Sequence, residues 1–289
     1  MVPHRPPTIT IHLPGGRSLL LADRTLIMAI VNVTPDSFAD GGERFDPDVA
    51  IADALRMVDQ GADILDIGGE STRPGAPPVG EAEERRRVMP VLEGLRGCTD
   101  AIISIDTYKA SIAEEAIALG AGIVNDISAF ANDQAIAGVV ARTGAAAVLM
   151  HNRGRSTNIY EFANYVDVIA EIRTDLAGRV AVAEVAGVSR SQLILDPGLG
   201  FAKRAEHSLE ALARLDELQE LGLPILSGPS RKSFLRLALG DLPPAERVWG
   251  TAAAVTASIM AGARIVRVHD VSPMVQVVRV ADSIRRAAR

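Results

Sequence analysis

Ser230, Arg231, Lys232 and Ser233 stand in one run, and Arg267 and His269 stand two apart in another, "RVHDV". Alternate side chains of a strand share a face, so Arg267 and His269 point the same way and Asp270 points oppositely. A guanidinium beside an imidazole, with a lysine on a nearby loop, is chemistry for an anion, whose oxygens take charge-assisted hydrogen bonds. The plain alternative is a solvated group of charges. Three further residues oppose them in sign: Asp106 in "SIDT", Asn125 in "IVND" and Asp196 in "LILDPG". Each closes an apolar run, where burial without a partner is costly. Acids and an amide converging on one mouth suit a flat heterocycle with several N–H donors and a carbonyl. Against this, Asp and Asn at such positions commonly cap the next helix.

The elements that must carry these residues repeat. Apolar runs fall at Leu26–Thr34, Asp63–Gly69, Ile102–Thr107, Ile123–Ser128, Ala146–Asn152, Leu193–Gly200, Pro224–Ser230 and Arg264–Val271. They are nearly continuous rather than alternating, as in parallel strands buried on both faces. Helical stretches separate them. One opens with Asp46-Pro47, an N-cap with proline at the first helical position, and another, "HSLEALARLDELQELG", closes at Gly222. Eight such units predict an α/β fold of the (β/α)8 TIM barrel class, with polar residues at the C-terminal ends of its strands, where barrels place their sites. An open doubly wound sheet is the rival, but it usually has fewer strands and one dominant crevice. Before the first unit, "TITIHLPGGRSLLL" predicts an N-terminal β-hairpin, expected to plug the bottom of the barrel. The chain is therefore expected to be one domain over 1–289, with the hairpin in 1–25 and the barrel in 26–289.

Composition narrows the partners. The 289 residues carry a formal charge of −6 and are 48% hydrophobic but only 3% aromatic. There is no basic footprint for nucleic acid. No apolar run is long enough for a membrane span, and no signal peptide is visible. Cys98 is the one cysteine, which rules out an internal disulfide and accords with a reducing, cytoplasmic setting. No His/Cys/Asp grouping at ligand spacing suggests zinc. Asn32 stands just before a glycine- and proline-rich loop, positioned for a phosphate or for a magnesium ion that keeps most of its waters.

In order, "NVTPDSFADGG", "DIGGESTRPGA", "SIDT", "ND", "DPGLGFAK", "SRKS", "GTAAA" and "RVHDV" run from Asn32 to Val271. This set resembles the dihydropteroate synthase family, the folate-pathway enzymes inhibited by sulfonamides. The resemblance implies condensation of 6-hydroxymethyl-7,8-dihydropterin diphosphate with p-aminobenzoate, giving 7,8-dihydropteroate and diphosphate. It implies that Asp106, Asn125, Asp196 and Lys232 hold the pterin. Asn32, Arg267 and His269 would bind diphosphate, with Mg²⁺ near Asn32. Thr72, Arg73, Pro74, Phe201 and Ser233 would shape the p-aminobenzoate pocket. The catalytic set would be Asp36, acting from the first loop, with Lys232, Arg267 and His269. A homodimer is implied as well. The chain departs from the family at Ala202, where glycine is usual, at Ala39, and in "MHNRGRST" after the fifth strand. A corrinoid-dependent methyltetrahydrofolate methyltransferase would need the pterin residues but not the whole of "STRPG" and "SRKS". A pterin-binding paralogue without activity would keep the polar ring.

Overall fold

The computed structural model describes residues 8–34, 46–71, 75–154 and 160–287. Asp36, Thr72, Arg73 and Pro74 lie outside the described residues.

The first two strands, β1 (Ile9–His12) and β2 (Ser18–Leu21), pair antiparallel through a turn at Pro14–Gly16, as predicted. The barrel strands follow: β3 (Leu26–Asn32), β4 (Ile64–Gly68), β5 (Ile102–Asp106), β6 (Ile123–Asp126), β7 (Ala146–Met150), β8 (Leu193–Asp196), β9 (Leu226–Ser227) and β10 (Ile265–Val268). All their pairings are parallel, and the spatial order is β8-β7-β6-β5-β4-β3-β10-β9. A bridge between Leu195 and Ile225 joins the two ends and closes the barrel.

The intervening helices are α1 (Pro47–Asp59), α2 (Glu81–Leu95), α3 (Ala110–Ala118), α4 (Ala135–Thr143), α5 (Val168–Val185), α6 (Ala205–Ala213), α7 (Arg236–Leu239), α8 (Val248–Met260) and α9 (Val271–Ala287). Asp46 caps α1 by accepting from the Asp48 N–H, with Pro47 at the first position. Gly144 ends α4 in the left-handed conformation that a side chain would strain. Two expectations needed correction. The stretch before Gly222 divides into α6 and a 3₁₀ segment over Leu215–Leu221, and the seventh barrel strand is only two residues long. Pro224, which has no N–H to give to a ladder, precedes that short strand.

Side-chain parity separates two cores. Ile27, Ala29, Val31, Leu65, Ile67, Ile103, Ile105, Val266 and Val268 pack outward against the helices. The opposite face starts with Leu26, Met28, Ile64, Ile102, Ile123, Ile194 and Ile265, which fill the lower barrel together with Ile11, Leu13, Leu19 and Leu21 of the hairpin. The hairpin is therefore the expected plug. Each such side chain removed from water contributes about 1.5–3 kcal/mol. Arg17 fastens the hairpin through hydrogen bonds to the carbonyls of Asp100 and Ala101. With the lower interior apolar, the same alternation leaves Asn32, Asp66, Asp106, Asn125, Asp196 and Arg267 on the inward face farther up.

Candidate active site

The upper ends of four strands lie in register. Asn32 pairs with Gly68, Gly68 with Asp106, and Asp106 with Asn125. This row brings the amide, the acid and the candidate metal ligand onto one rim. Gly68 leaves room for it, since a Cβ there would stand 3.3 Å from the Asp106 Cβ.

Arg267 reaches into the row from β10. Its Nε donates to Asp66 Oδ2 at 2.6 Å, and its Nη2 donates to Asp106 Oδ2 at 2.7 Å. Asn125 Nδ2 donates to the same Asp66 oxygen at 2.9 Å. The Asn125 amide is thereby oriented, its nitrogen toward Asp66 and its carbonyl oxygen left to accept from something else. Burial opposes the Arg267 charge, but Asp66 and Asp106 outweigh it and raise the pKa above the ordinary arginine value. Burial pushes Asp106 up to about 7 against the pull of Arg267.

Asp196 accepts from the Gly198 N–H at 2.7 Å, so it braces its own loop as well as facing inward. Burial raises its pKa. Lys232, on the loop after β9, donates to the Leu199 carbonyl at 2.7 Å and lies 3.9 Å from the centre of the Phe201 ring. Burial pulls Lys232 down to about 7, with Asp196 opposing. Phe201 and Lys232 are thus one unit, built by two different loops. Ser233 is exposed at the start of the turn that follows.

The anion quadrant is narrower than the run of basic residues suggested. Arg231 is bidentate to Asp270 and donates its N–H to Thr251 Oγ1, so its charge supports the fold. Lys232 and Arg267 remain as the inward cations among the predicted residues. His269 is half-buried beside Arg267 and Arg231, and its pKa falls to about 3, with desolvation the main cause. Ser230 Oγ accepts from the His269 N–H at 3.2 Å and lies 3.0 Å from its Nδ1. Ser230 thus holds His269 in place through both its backbone N–H and its Nδ1.

The structure brings Asp106, Asn125, Asp196, Phe201, Lys232 and Arg267 together, with Asn32 on the rim and His269 beside Arg267 on the same strand. Sequence reasoning missed Asp66. It lies two residues inside β4 rather than at its end, and it is fully buried. The signal was present, since a carboxylate inside an apolar run must find a partner. No group of three or more His, Cys, Asp or Glu residues able to hold a metal occurs among the described residues. Asn32 supplies one hard oxygen donor at the mouth. That fits Mg²⁺ carried largely by water and a substrate's phosphates, and it does not fit a cage made by the protein.

A parallel barrel whose upper rim presents acids, an amide and two inward cations has the architecture of a pterin-binding site, and the sequence profile of the pterin binding enzymes matches residues 28–269. The chain belongs to that family. A dihydropteroate synthase of Synechocystis is 47% identical over 275 residues, covering 95% of each chain. The structure of the Xanthomonas albilineans dihydropteroate synthase with 4-aminobenzoic acid superposes with a TM-score of 0.89 at 42% identity, covering 96% of this chain and 98% of the other. That enzyme in complex with 7,8-dihydropteroate gives 0.86 at 39% identity, covering 96% and 99%. Within the pterin-binding enzymes, this chain is a member of the dihydropteroate synthases.

Proposed function

We propose that this protein joins 6-hydroxymethyl-7,8-dihydropterin diphosphate to p-aminobenzoate, releasing diphosphate and forming 7,8-dihydropteroate. The observation that carries this reading is the Asp66–Arg267–Asp106 arrangement with Asn125 and Asp196 on the same rim, in a chain of this family. The acids and the Asn125 carbonyl accept from the pterin's N–H edge. Lys232, packed on Phe201, lies where the pterin and the aryl amine meet.

Displacement at the pterin methylene develops positive charge on the ring as the bond to diphosphate breaks. Asp106 and Asp196 stabilise that charge, while Arg267 and His269 stabilise the departing oxygens. Bound Mg²⁺, held at Asn32, would neutralise further charge on the leaving group. The p-aminobenzoate amine is nucleophilic when neutral, so attack needs no strong base. Asp36, Thr72, Arg73 and Pro74 are assigned by motif to the first loop and the p-aminobenzoate side, with Ser233 and Phe201. The same reading extends to a homodimer in the cytoplasm. Trp249 is 77% exposed and gives a second copy apolar surface to cover, and Cys98 is an exposed free thiol suited to a reducing compartment. Among the described residues, no helix is long and apolar enough to cross a membrane.

The deciding experiment incubates the purified protein with pterin diphosphate, p-aminobenzoate and Mg²⁺ and follows dihydropteroate and diphosphate. Stoichiometric release of both is expected. Tight pterin binding without product would identify a pterin-binding paralogue instead. Arg73→Ala should raise KM for p-aminobenzoate, lower kcat, or both, with pterin affinity nearly unchanged. Sedimentation of the purified protein at twice the monomer mass of 30.5 kDa would establish the dimer.

A further inference from the structure

Lys203 closes the motif "DPGLGFAK", yet none of the chemistry above uses it. It is 2% exposed, among the largest fully buried side chains of the protein. Its Nζ lies 2.7 Å from His151 Nδ1, 3.0 Å from the Phe201 carbonyl oxygen and 3.1 Å from the Gly198 carbonyl oxygen. His151 Nε2 lies 3.1 Å from Asp175 Oδ2, and a carboxylate oxygen can only accept. Nε2 therefore carries the imidazole proton and Nδ1 is an acceptor. The His151 carbonyl oxygen lies farther off at 3.5 Å, so the three shorter contacts, all to acceptors, match the three hydrogens of an ammonium.

Among the described residues no carboxylate contacts the Lys203 nitrogen directly, and burial drives its pKa well below the ordinary lysine range. A buried charge of this kind works against stability, and an apolar side chain would fill the space without that cost. What the lysine provides is placement. The loop it clamps carries Asp196 at its start, the Leu199 carbonyl that receives Lys232, and the Phe201 ring against which Lys232 packs. That loop also holds left-handed backbone at Gly198 (φ 66°), Gly200 (φ 79°) and Ala202 (φ 47°), an arrangement that needs outside support. Gly198 admits no side chain, because a Cβ there would stand 2.0 Å from the His151 carbonyl oxygen. His151 carries the clamp onward to Asp175 on α5, which Arg153 also holds.

We propose that Lys203 is a positioning residue for the aryl-amine step, a three-point clamp that sets the Leu199–Phe201 segment against Lys232 and is anchored to α5 through His151 and Asp175. The proposal rests on the reading that p-aminobenzoate binds beside Phe201 and Lys232. Removing the clamp should act on that substrate more than on the pterin, because Asp66, Asp106 and Asn125 hold the pterin from other strands and Asp196 ends β8 ahead of the clamped segment.

The test uses Lys203→Ala and Lys203→Met in the full chain. Small displacements of substrate-positioning groups cost up to about 100-fold, and a rise in KM for p-aminobenzoate of about tenfold or more is expected in both variants. The affinity for pterin diphosphate, measured by calorimetry, should change by much less. Added propylammonium should restore p-aminobenzoate kinetics in Lys203→Ala, while tetramethylammonium, which has no N–H, should not. Lys203→Met retains the packing volume and gives the same kinetic split if the alanine variant fails to fold. Unchanged p-aminobenzoate kinetics, or equal losses for both substrates without rescue, would overturn the proposal. Inactive wild-type protein would overturn the underlying reading instead, so the two failures are distinguishable.

Discussion

Arg267 and Asp66, 201 positions apart in the chain, meet at 2.6 Å inside the barrel, Nε donating to Oδ2. The contact fixes one edge of the guanidinium, and Asp106 takes a hydrogen of Nη2 at 2.7 Å. Among the described residues no partner takes the hydrogens of Nη1 or the second hydrogen of Nη2, which leaves them for the proposed anion. Because Asn125 donates to the same Asp66 oxygen, the acid that orients the cation also orients the amide. The halves of the site proposed for the pterin and for diphosphate therefore share one carboxylate.

Removing that acid should therefore damage both. Asp66→Ala leaves Arg267 with Asp106 alone and frees the Asn125 amide to rotate. Breaking a buried pair by deleting one partner costs about 3–5 kcal/mol. Urea denaturation should show a loss of this order, and calorimetry should show weaker binding of a pterin lacking phosphate. Unaltered pterin affinity would remove Asp66 from the site.

Asp106→Ala should weaken the pterin itself. A charge-assisted hydrogen bond is worth about 1.5–3 kcal/mol, so its dissociation constant should rise by at least about tenfold. Arg267→Ala, by comparison, should weaken pterin diphosphate more than the phosphate-free pterin. Equal losses for the two ligands in Arg267→Ala would confine the arginine to holding Asp66 and Asp106.

Ala202 stands where the family resemblance leads one to expect glycine, and the backbone shows what glycine would relieve. Its φ is +47° and it is fully buried, with its carbonyl accepting from Tyr165 Oη at 2.8 Å. A left-handed residue with a Cβ costs about 1–2 kcal/mol, partly offset because glycine loses more freedom on folding. Ala202→Gly should raise the denaturation midpoint modestly, by an amount below about 1 kcal/mol. A lower midpoint would show that the Cβ packing outweighs the strain.

The buried His151 ring gives the fold a pH dependence of definite sign. Burial is the main cause that brings its pKa from 6.5 to about 4, with Lys203 and Arg153 adding to it and Asp175 opposing. Between these values the unfolded chain binds the proton and the native protein does not, so this contribution to stability is lost as pH falls through the window. Urea midpoints for the wild type and His151→Gln should converge as pH drops from about 6.5 toward 4. A constant difference between them would mean that His151 is charged in the native state.

Much of the architecture was legible without coordinates, because it rests on local rules. A continuous apolar run must be buried on both faces, a proline or glycine must fall where the backbone tolerates it, and alternate residues of a strand must share a face. From these came the barrel, its plug, and the placing of Asp106, Asn125, Asp196 and Arg267 on a common rim. The brevity of β9 was hidden because the closing bridge depends on where Leu195 arrives, and no neighbour in sequence dictates that. Parity assigned Arg267 its direction but could not supply its partners, since Asp66 approaches from a strand on the other side of β3. Arg231 and Lys232 read alike as adjacent cations. Only the fold delivers Asp270 to one and the Leu199 carbonyl to the other. Lys203, His151 and Asp175 come from three separate stretches, and the buried Lys203 and His151 can be understood only once folding has brought each the partner that offsets the loss of water.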